Sequence, residues 1–495
     1  GTIDESVPFI GGMKVIEARR KIINLLSEEG LLIRSETITH TVAVHERCGK
    51  EIEIIPSRQW YIDILSNKEL FLKAADSINW YPQHMKNRYI LWVENLKWDW
   101  CISRQRYFGV PFPIWYCKNC GKVMTADEEK LPVNPIETGP GKPCSCGCGE
   151  FEPERSVFDT WATSSLTPQI NAKWEEKDDF SERLLPMSMR TQAHEIIRTW
   201  AFYTIVKSLY HTGHIPWKDI MVCGFVLAKK GEKISKSKSN SESSPKQLIE
   251  NHSADVVRYW AANSKLGTDT FFSTDDLGIA KRFITKLWNA ARFSISHLHD
   301  FDLNSGGCFM PVDIWIKERC KQTFLHARNF LDRYEIGSAR HEIDEFFWKD
   351  FCDYYLEIVK ERLYQPERRG YEERKSAQYA LYYCMLGILK LYAVYVPHIT
   401  EYIYQEFFRQ HEKCDSLHRL RWESDDHIDE SIIQFGEELK EVIAETRKYK
   451  SEHNLSLKTE IEEVSIAAGD KTAELFRRST DDIKACCMAK SIKIS

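Results

Sequence analysis

The chain has 495 residues, enough for roughly three or four domains, each with its own core. At 43% hydrophobic and 28% charged, with a formal net charge of −5, it is ordinary soluble globular material. No run of about 18 apolar residues exists, which excludes a membrane-spanning helix; the slightly acidic total does not exclude nucleic acid, because binding depends on where the basic groups sit.

The opening Gly1-Thr2-Ile3-Asp4-Glu5 lacks an initiator Met and any signal-peptide pattern, so it reads as a cut through a longer protein. Residues 12 to 34 predict a helix, with Val15, Ala18, Ile22, Ile23 and Leu26 at helical spacing, stopping near Gly30. Residues 56 to 112 mix strand-like and helical pieces. Residues 114 to 150 are rich in Cys, Gly and Pro and have little periodicity, as expected of a small metal-held insertion. Residues 156 to 228 alternate strand, long helix and strand. The stretch Ala193 to Leu209 is apolar on nearly every face and predicts a helix buried on both sides in an α/β layer. Lys218 to Leu227 reads as one buried strand. From about 275 to 430 the pattern is helical throughout, and the tail from 431 reads as helix, strand, helix and a short terminal strand.

The 15 cysteines are mostly scattered singly through helical patterns, which suits a reducing, cytosolic compartment. The exception is local and specific. Cys117-Lys118-Asn119-Cys120-Gly121 has the form of a zinc knuckle, and Cys144, Cys146 and Cys148 follow. Two thiolate pairs about 24 residues apart suit a closed, tetrahedral, structural Zn2+ site. Three cysteines compete for the last two places, so one of them is spare. No thioredoxin-like pattern flanks the first pair, and no His or carboxylate forms an open catalytic metal site.

The segment 231 to 240 sets lysines among serines with one large apolar residue, Ile234, so it predicts a polar loop. Between Lys229 and Lys246 six lysines stand against two glutamates. A flexible ammonium can follow a phosphate whose charge shifts during reaction, although a solvated basic loop has the same composition. No P-loop, dinucleotide fingerprint, G-x-S-x-G elbow or H-E-x-x-H helix is present. Any use of ATP requires another device.

Lys233-Ile234-Ser235-Lys236-Ser237 resembles the KMSKS signature of class I aminoacyl-tRNA synthetases. Ser253 to Ala261 resembles the helix that follows that signature. Trp100-Cys101-Ile102-Ser103-Arg104-Gln105 through Pro111 is similar to a segment of the large editing members, and Asp159-Thr160-Trp161-Ala162-Thr163-Ser164-Ser165 resembles the form in valyl members of an archaeal-like branch. Phe347 to Glu357 and Pro397-His398-Ile399 resemble the family's anticodon-binding domain. The resemblance runs through nearly the whole chain, in the family's order. It implies the second half of a Rossmann-like α/β catalytic domain with a zinc-knuckle insertion, followed by an all-α anticodon-binding domain. The segments expected are 1–55, the tail of an editing insertion; 56–113, a catalytic-domain connection; 114–155, the zinc knuckle; and 156–230, the Rossmann-like half. There follow 231–278, the signature loop and stem-contact region; 279–430, the helical domain; and 431–495, a small α/β extension.

The resemblance also implies roles. Lys236 stabilises the pyrophosphate leaving group and Lys233 assists, with Ser235 and Ser237 in the same ATP-binding loop. His194 and Glu195 stand where relatives contact the adenylate ribose, although the family's usual residue at the second position is Asp. Trp161, Ile196, Trp200 and Asp159 form the amino-acid pocket, the second and third sharing one helical face; plain core packing is the competing account of Ile196. The implied zinc ligands are Cys117, Cys120, Cys144 and Cys146, with Cys148 as the alternate. His211-Thr212-Gly213-His214 looks like the family's HIGH signature but lies only 22 residues before Lys233, so it is read as a helix-ending turn. HIGH itself is expected upstream of this chain, and these residues alone are expected to be inactive. The implied partners are valine, ATP with Mg2+ and tRNA(Val), in a cytoplasmic monomer without membrane association. An isoleucyl enzyme and a non-catalytic tRNA-binding module are the competing readings.

Overall fold

Along Trp217–Cys223 the side chains of Trp217, Ile220 and Val222 are fully enclosed, from both faces of the strand, and this strand is the middle of a three-stranded parallel sheet. Asn79–Tyr81 lies on one side and Met187–Ala193 on the other, with Ile220 opposite Trp80 and Arg190. A parallel pair needs a crossover, which Phe202–Thr212 supplies between Met187–Ala193 and Trp217–Cys223. Phe202 is enclosed by Phe71 and Tyr89 from the helices Lys68–Asp76 and Met85–Asn95, at 5.8 and 6.0 Å between ring centroids.

This computed structural model describes residues 2–45, 48–54, 56–176, 178–229, 232–234, 244–303, 307–422 and 426–495, with backbone only at 229, 232 and 233. The chain forms two units, 1–62 with 100–159, and 63–99 with 160–495.

In the first unit the helix Val15–Glu28 ends as its sequence predicts, with Gly30 in the left-handed region. A three-stranded antiparallel sheet is centred on Ile114–Cys117, between Val123–Thr125 and Phe151–Pro153. Behind it, Glu154 accepts hydrogen bonds from the Trp60 indole (2.9 Å), the Tyr116 hydroxyl (2.6 Å) and the Ser156 amide (2.8 Å). Burial alone would raise the Glu154 carboxyl, but these donors outweigh it and hold the group at about 2.

In the second unit two expected elements are broken. The strand read over Lys218 to Leu227 is two strands in two sheets. Trp217–Cys223 stops at Gly224, where the backbone passes so close to Thr268 that a Cβ would overlap its carbonyl. Val226–Lys229 then pairs antiparallel with Glu232–Lys233 and parallel with Thr270–Phe271. The helix read over Ala193 to Leu209 starts differently as well: Ala193 ends a strand, His194–Ile196 is a tight turn, and Ile197–Ala201 is a wide π turn before the regular helix. Apolarity on every face gave no sign of these changes in winding.

Downstream, Pro245–His252 opens with a capping box of Ser244 and Gln247. The helices Thr274–Ser296, Pro311–Leu331, Ile336–Glu345, Tyr371–Tyr392 and Pro397–Ile403 enclose one large apolar core. The tail follows its predicted order, with helix Glu430–Glu452, strand Ile461–Ile466, helices Ala473–Arg478 and Thr480–Cys487, and strand Ala489–Ile494 parallel to the first strand. Gly436 faces the fully buried Trp315, and a Cβ there would overlap the indole. Arg362, completely buried, pairs with Asp313 at 2.7 Å and Asp482 at 3.0 Å, joining the bundle to the tail.

Candidate functional site

In open α/β sheets ligands sit outside the carboxyl ends of the strands. Here those ends are Tyr81, Ala193 and Cys223. Directly after Ala193, the His194 ring is held from both sides. The Arg88 guanidinium lies 3.0 Å from Nδ1, and Asp269 Oδ1 lies 3.0 Å from Nε2. A guanidinium has no acceptor, so Nδ1 must accept and Nε2–H donates to Asp269. The same Asp269 oxygen accepts the Phe225 backbone N–H at 2.8 Å. That bond first, and His194 second, hold the Asp269 carboxyl below the ordinary carboxylate range. The chain Arg88–His194–Asp269–Phe225 therefore ties the end of one strand to the start of the hairpin that carries Lys233. Sequence reasoning missed Arg88 and Asp269, which lie 106 and 75 residues from His194 and carry no motif.

Beside this chain is a cavity of about 460 Å³ lined by Arg88, Trp92, His194, Glu195 and Arg198. Glu195 is exposed on its wall, where a carboxylate can accept from ligand hydroxyls. The expected apolar pocket has its residues on two packed elements. Trp161 lies on the short helix Thr160–Ser164, Ile196 in the tight turn and Trp200 in the wide turn, all three half-buried. The Trp200 indole N–H donates to the Ser164 carbonyl at 3.3 Å, joining the two elements. Asp159, in the first unit, is buried and pairs with Arg104 at 3.4 Å.

The hairpin base is fixed by main-chain bonds. Thr270 N–H donates to Phe225 O at 2.8 Å, and Phe272 N–H to Leu227 O at 2.9 Å. The Lys233 backbone pairs with Leu227. Ser235, Lys236 and Ser237 lie outside the described residues. His211-Thr212-Gly213-His214 ends the helix Phe202–Thr212, with Gly213 in the left-handed region and its N–H bonded to Leu209 O.

In the first unit the sulfurs of Cys117, Cys120, Cys144 and Cys146 all lie within 4.8 Å of one another. Cys117 and Cys146 are 3.6 Å apart, as are Cys120 and Cys144. Four thiolates at about 2.3 Å from a zinc ion would be roughly 3.8 Å apart, so the donor set fits that ion. Gly121 and Gly147, both with positive φ, turn the chain behind the two pairs. Cys148 is outside the group, its sulfur accepting the Glu150 N–H at 3.3 Å. The Cys148 backbone amide and the Asn119 side chain lower the Cys146 thiol, while the neighbouring thiols raise that of Cys120, so the four share their protons unevenly.

Residues 13–273 match the family described as tRNA synthetases class I (I, L, M and V), and residues 313–466 match the anticodon-binding domain of tRNA ligase. The chain belongs to the class I tRNA synthetases, with a Rossmann-like α/β half followed by a helical domain. Among its relatives, the valine–tRNA ligase of Rickettsia conorii is 42% identical across 100% of this chain and 62% of its own length. That of Wolbachia pipientis wMel is 40% identical across 99% and 57%, and that of Anaplasma marginale 39% across 100% and 60%. The chain thus spans about three fifths of the length of the curated relatives it matches. Among solved structures, Mycobacterium tuberculosis methionyl-tRNA synthetase with methionyl-adenylate is similar at TM-score 0.58 and 17% identity, over 74% of this chain and 66% of its own. An Agrobacterium radiobacter LeuRS–tRNA–LeuAMS complex is similar at TM-score 0.53 and 20% identity, over 68% and 43%. These two share the fold.

Proposed function

We propose that the chain is part of a valine–tRNA ligase, which activates valine with ATP to valyl-adenylate and transfers it to tRNA(Val). The observation that carries this reading is end-to-end similarity to valine–tRNA ligases at 40–42% identity, in a chain that sets two half-buried tryptophans on packed elements at the strand ends. On this reading Trp161, Ile196 and Trp200 surround the valine side chain. Such a pocket excludes larger side chains by size but cannot strongly reject threonine, an isostere of valine. Glu195 accepts from the ribose hydroxyls, and the His194 relay holds that turn in place. ATP enters with Mg2+, and the helical domain grips the tRNA. The protein acts as a cytoplasmic monomer.

The test is amino-acid-dependent ATP–pyrophosphate exchange by the full-length protein. Exchange should be supported by valine and be at least about 100-fold weaker with isoleucine, the discrimination an apolar pocket gives by size. Isoleucine as the better substrate, or no exchange with either, would overturn the reading. Residues 1–495 alone should give none, because HIGH is absent from their sequence.

We also infer that Cys117, Cys120, Cys144 and Cys146 hold a structural Zn2+, whose role is to fold the insertion. Metal analysis should find one zinc per chain, lost in Cys144→Ser and retained in Cys148→Ser. Retention in the first variant, or loss in both, would refute the ligand set.

A further inference from the structure

Along Met187–Ala193 the residues turned inward are Arg190 and Gln192, polar where a sheet face packed under helices is ordinarily apolar. Arg190 is 9% exposed. Its guanidinium lies over the Trp200 ring at 3.7 Å from the centroid and over Trp217 at 4.5 Å. Among the described residues its one hydrogen bond goes to Thr167 Oγ1 at 3.2 Å, and Nη1 has no partner. Burial lowers its basicity to about 10, the sign of a cation kept in place at a cost. A carboxylate would normally repay that cost, yet none pairs with it among the described residues; two indole faces stand in its place. An apolar side chain would be cheaper here if packing were the only need.

What Arg190 does control is Trp200. That indole is held at its edge by the Ser164 carbonyl and on its face by the guanidinium, and a ring fixed at edge and face cannot swing. We propose that Arg190 is a positioning residue for amino-acid selection, fixing the Trp200 plane and with it the width of the pocket offered to a branched aliphatic side chain. The inference rests on the reading that Trp200 lines the valine pocket. Trp217 and Thr167 form its support, Trp217 from the central strand and Thr167 from the helix Thr167–Asn171.

The test compares Arg190→Met, which keeps length without charge, and Arg190→Lys, which keeps charge without the stacking plane. Both are made in the full-length protein and assayed by pyrophosphate exchange. Arg190→Met should raise KM for valine and lower the valine-to-isoleucine ratio of kcat/KM by about tenfold each, the size of one desolvated cation–π contact. KM for ATP should stay within about twofold, and Arg190→Lys should fall between. If Arg190→Met fails to fold, Thr167→Val removes the supporting hydrogen bond and should shift the same ratio in the same direction. A folded Arg190→Met with unchanged ratio and valine KM, or an unfolded one with Thr167→Val unchanged, refutes the inference. Failure of the wild type to use valine refutes the functional reading instead, so the two failures are distinct.

Discussion

Asp313→Ala is expected to destabilise the second unit by about 3–5 kcal/mol, the range found when one partner of a buried ion pair is removed. The Asp313 carboxylate takes two hydrogen bonds from Arg362, at 2.7 and 3.0 Å, one from the Tyr355 hydroxyl at 2.8 Å and one from Ser376 at 2.6 Å. Arg362 and Asp313 are both fully buried. Truncation leaves the guanidinium with Asp482 and the Glu373 carbonyl, and takes the acceptor from the Ser376 hydroxyl. Asp482 also pairs with Arg369 at 2.9 Å, so the cluster anchors the helix Thr480–Cys487 to the bundle. Urea unfolding followed by tryptophan emission should show the lower midpoint, and limited proteolysis should cut the tail first. An Asp313→Leu, Arg362→Met pair removes both charges and should recover at least half of the loss. A double variant as unstable as the sum of its parts would show that packing shape, and not the stranded charge, sets the cost.

Lys236→Ala in the full-length protein should lower valine-dependent exchange by about 100- to 1,000-fold, the cost of losing one preorganised group aimed at transition-state charge. On the proposed function, attack of the valine carboxylate on the α-phosphate would build negative charge on the bridging and β-oxygens, where the Lys236 ammonium is expected to meet it. On the same reading KM for valine should change little, because a group that meets charge only in the transition state adds nothing to ground-state binding. Transfer from isolated valyl-adenylate to tRNA should proceed near the wild-type rate, because no pyrophosphate leaves in that step. Equal loss in both steps would mean that Lys236 organises the site generally. Lys233→Ala should give the smaller defect.

Features carried by neighbours in sequence were legible, and features made by distant residues were not. The knuckle Cys117 to Cys120 and the turn at Gly213 are local patterns, and the fold brings the two thiols together and ends the helix there; the role of Lys233 to Ser237 rests on resemblance, with Ser235 to Ser237 outside the described residues. The break at Gly224 was hidden because its cause, Thr268, lies more than 40 residues on. The wide turn Ile197–Ala201 has no compositional mark, since an apolar stretch suits either winding. The Arg362 cluster depends on Asp313 and Asp482, far away on both sides. Arg190 was not legible, since an Arg and a Gln two apart in a strand ordinarily mark the solvent face, and only the packed tryptophans show Arg190 turned inward. In the second cysteine cluster spacing left 144, 146 and 148 open; resemblance leaned to the first two, and the fold groups those two with Cys117 and Cys120.

The contact of Gly436 with Trp315 limits how the tail can be exchanged between proteins. A helix bearing any side chain at that position meets the indole before its flanking residues Ile432, Phe435 and Leu439 can reach the core. Residues 430–495 are therefore not a portable module: grafted onto a bundle, they seat only where glycine meets tryptophan, and a donor helix with alanine there needs a smaller residue at 315. Bundle and tail must change together, as one inherited pair.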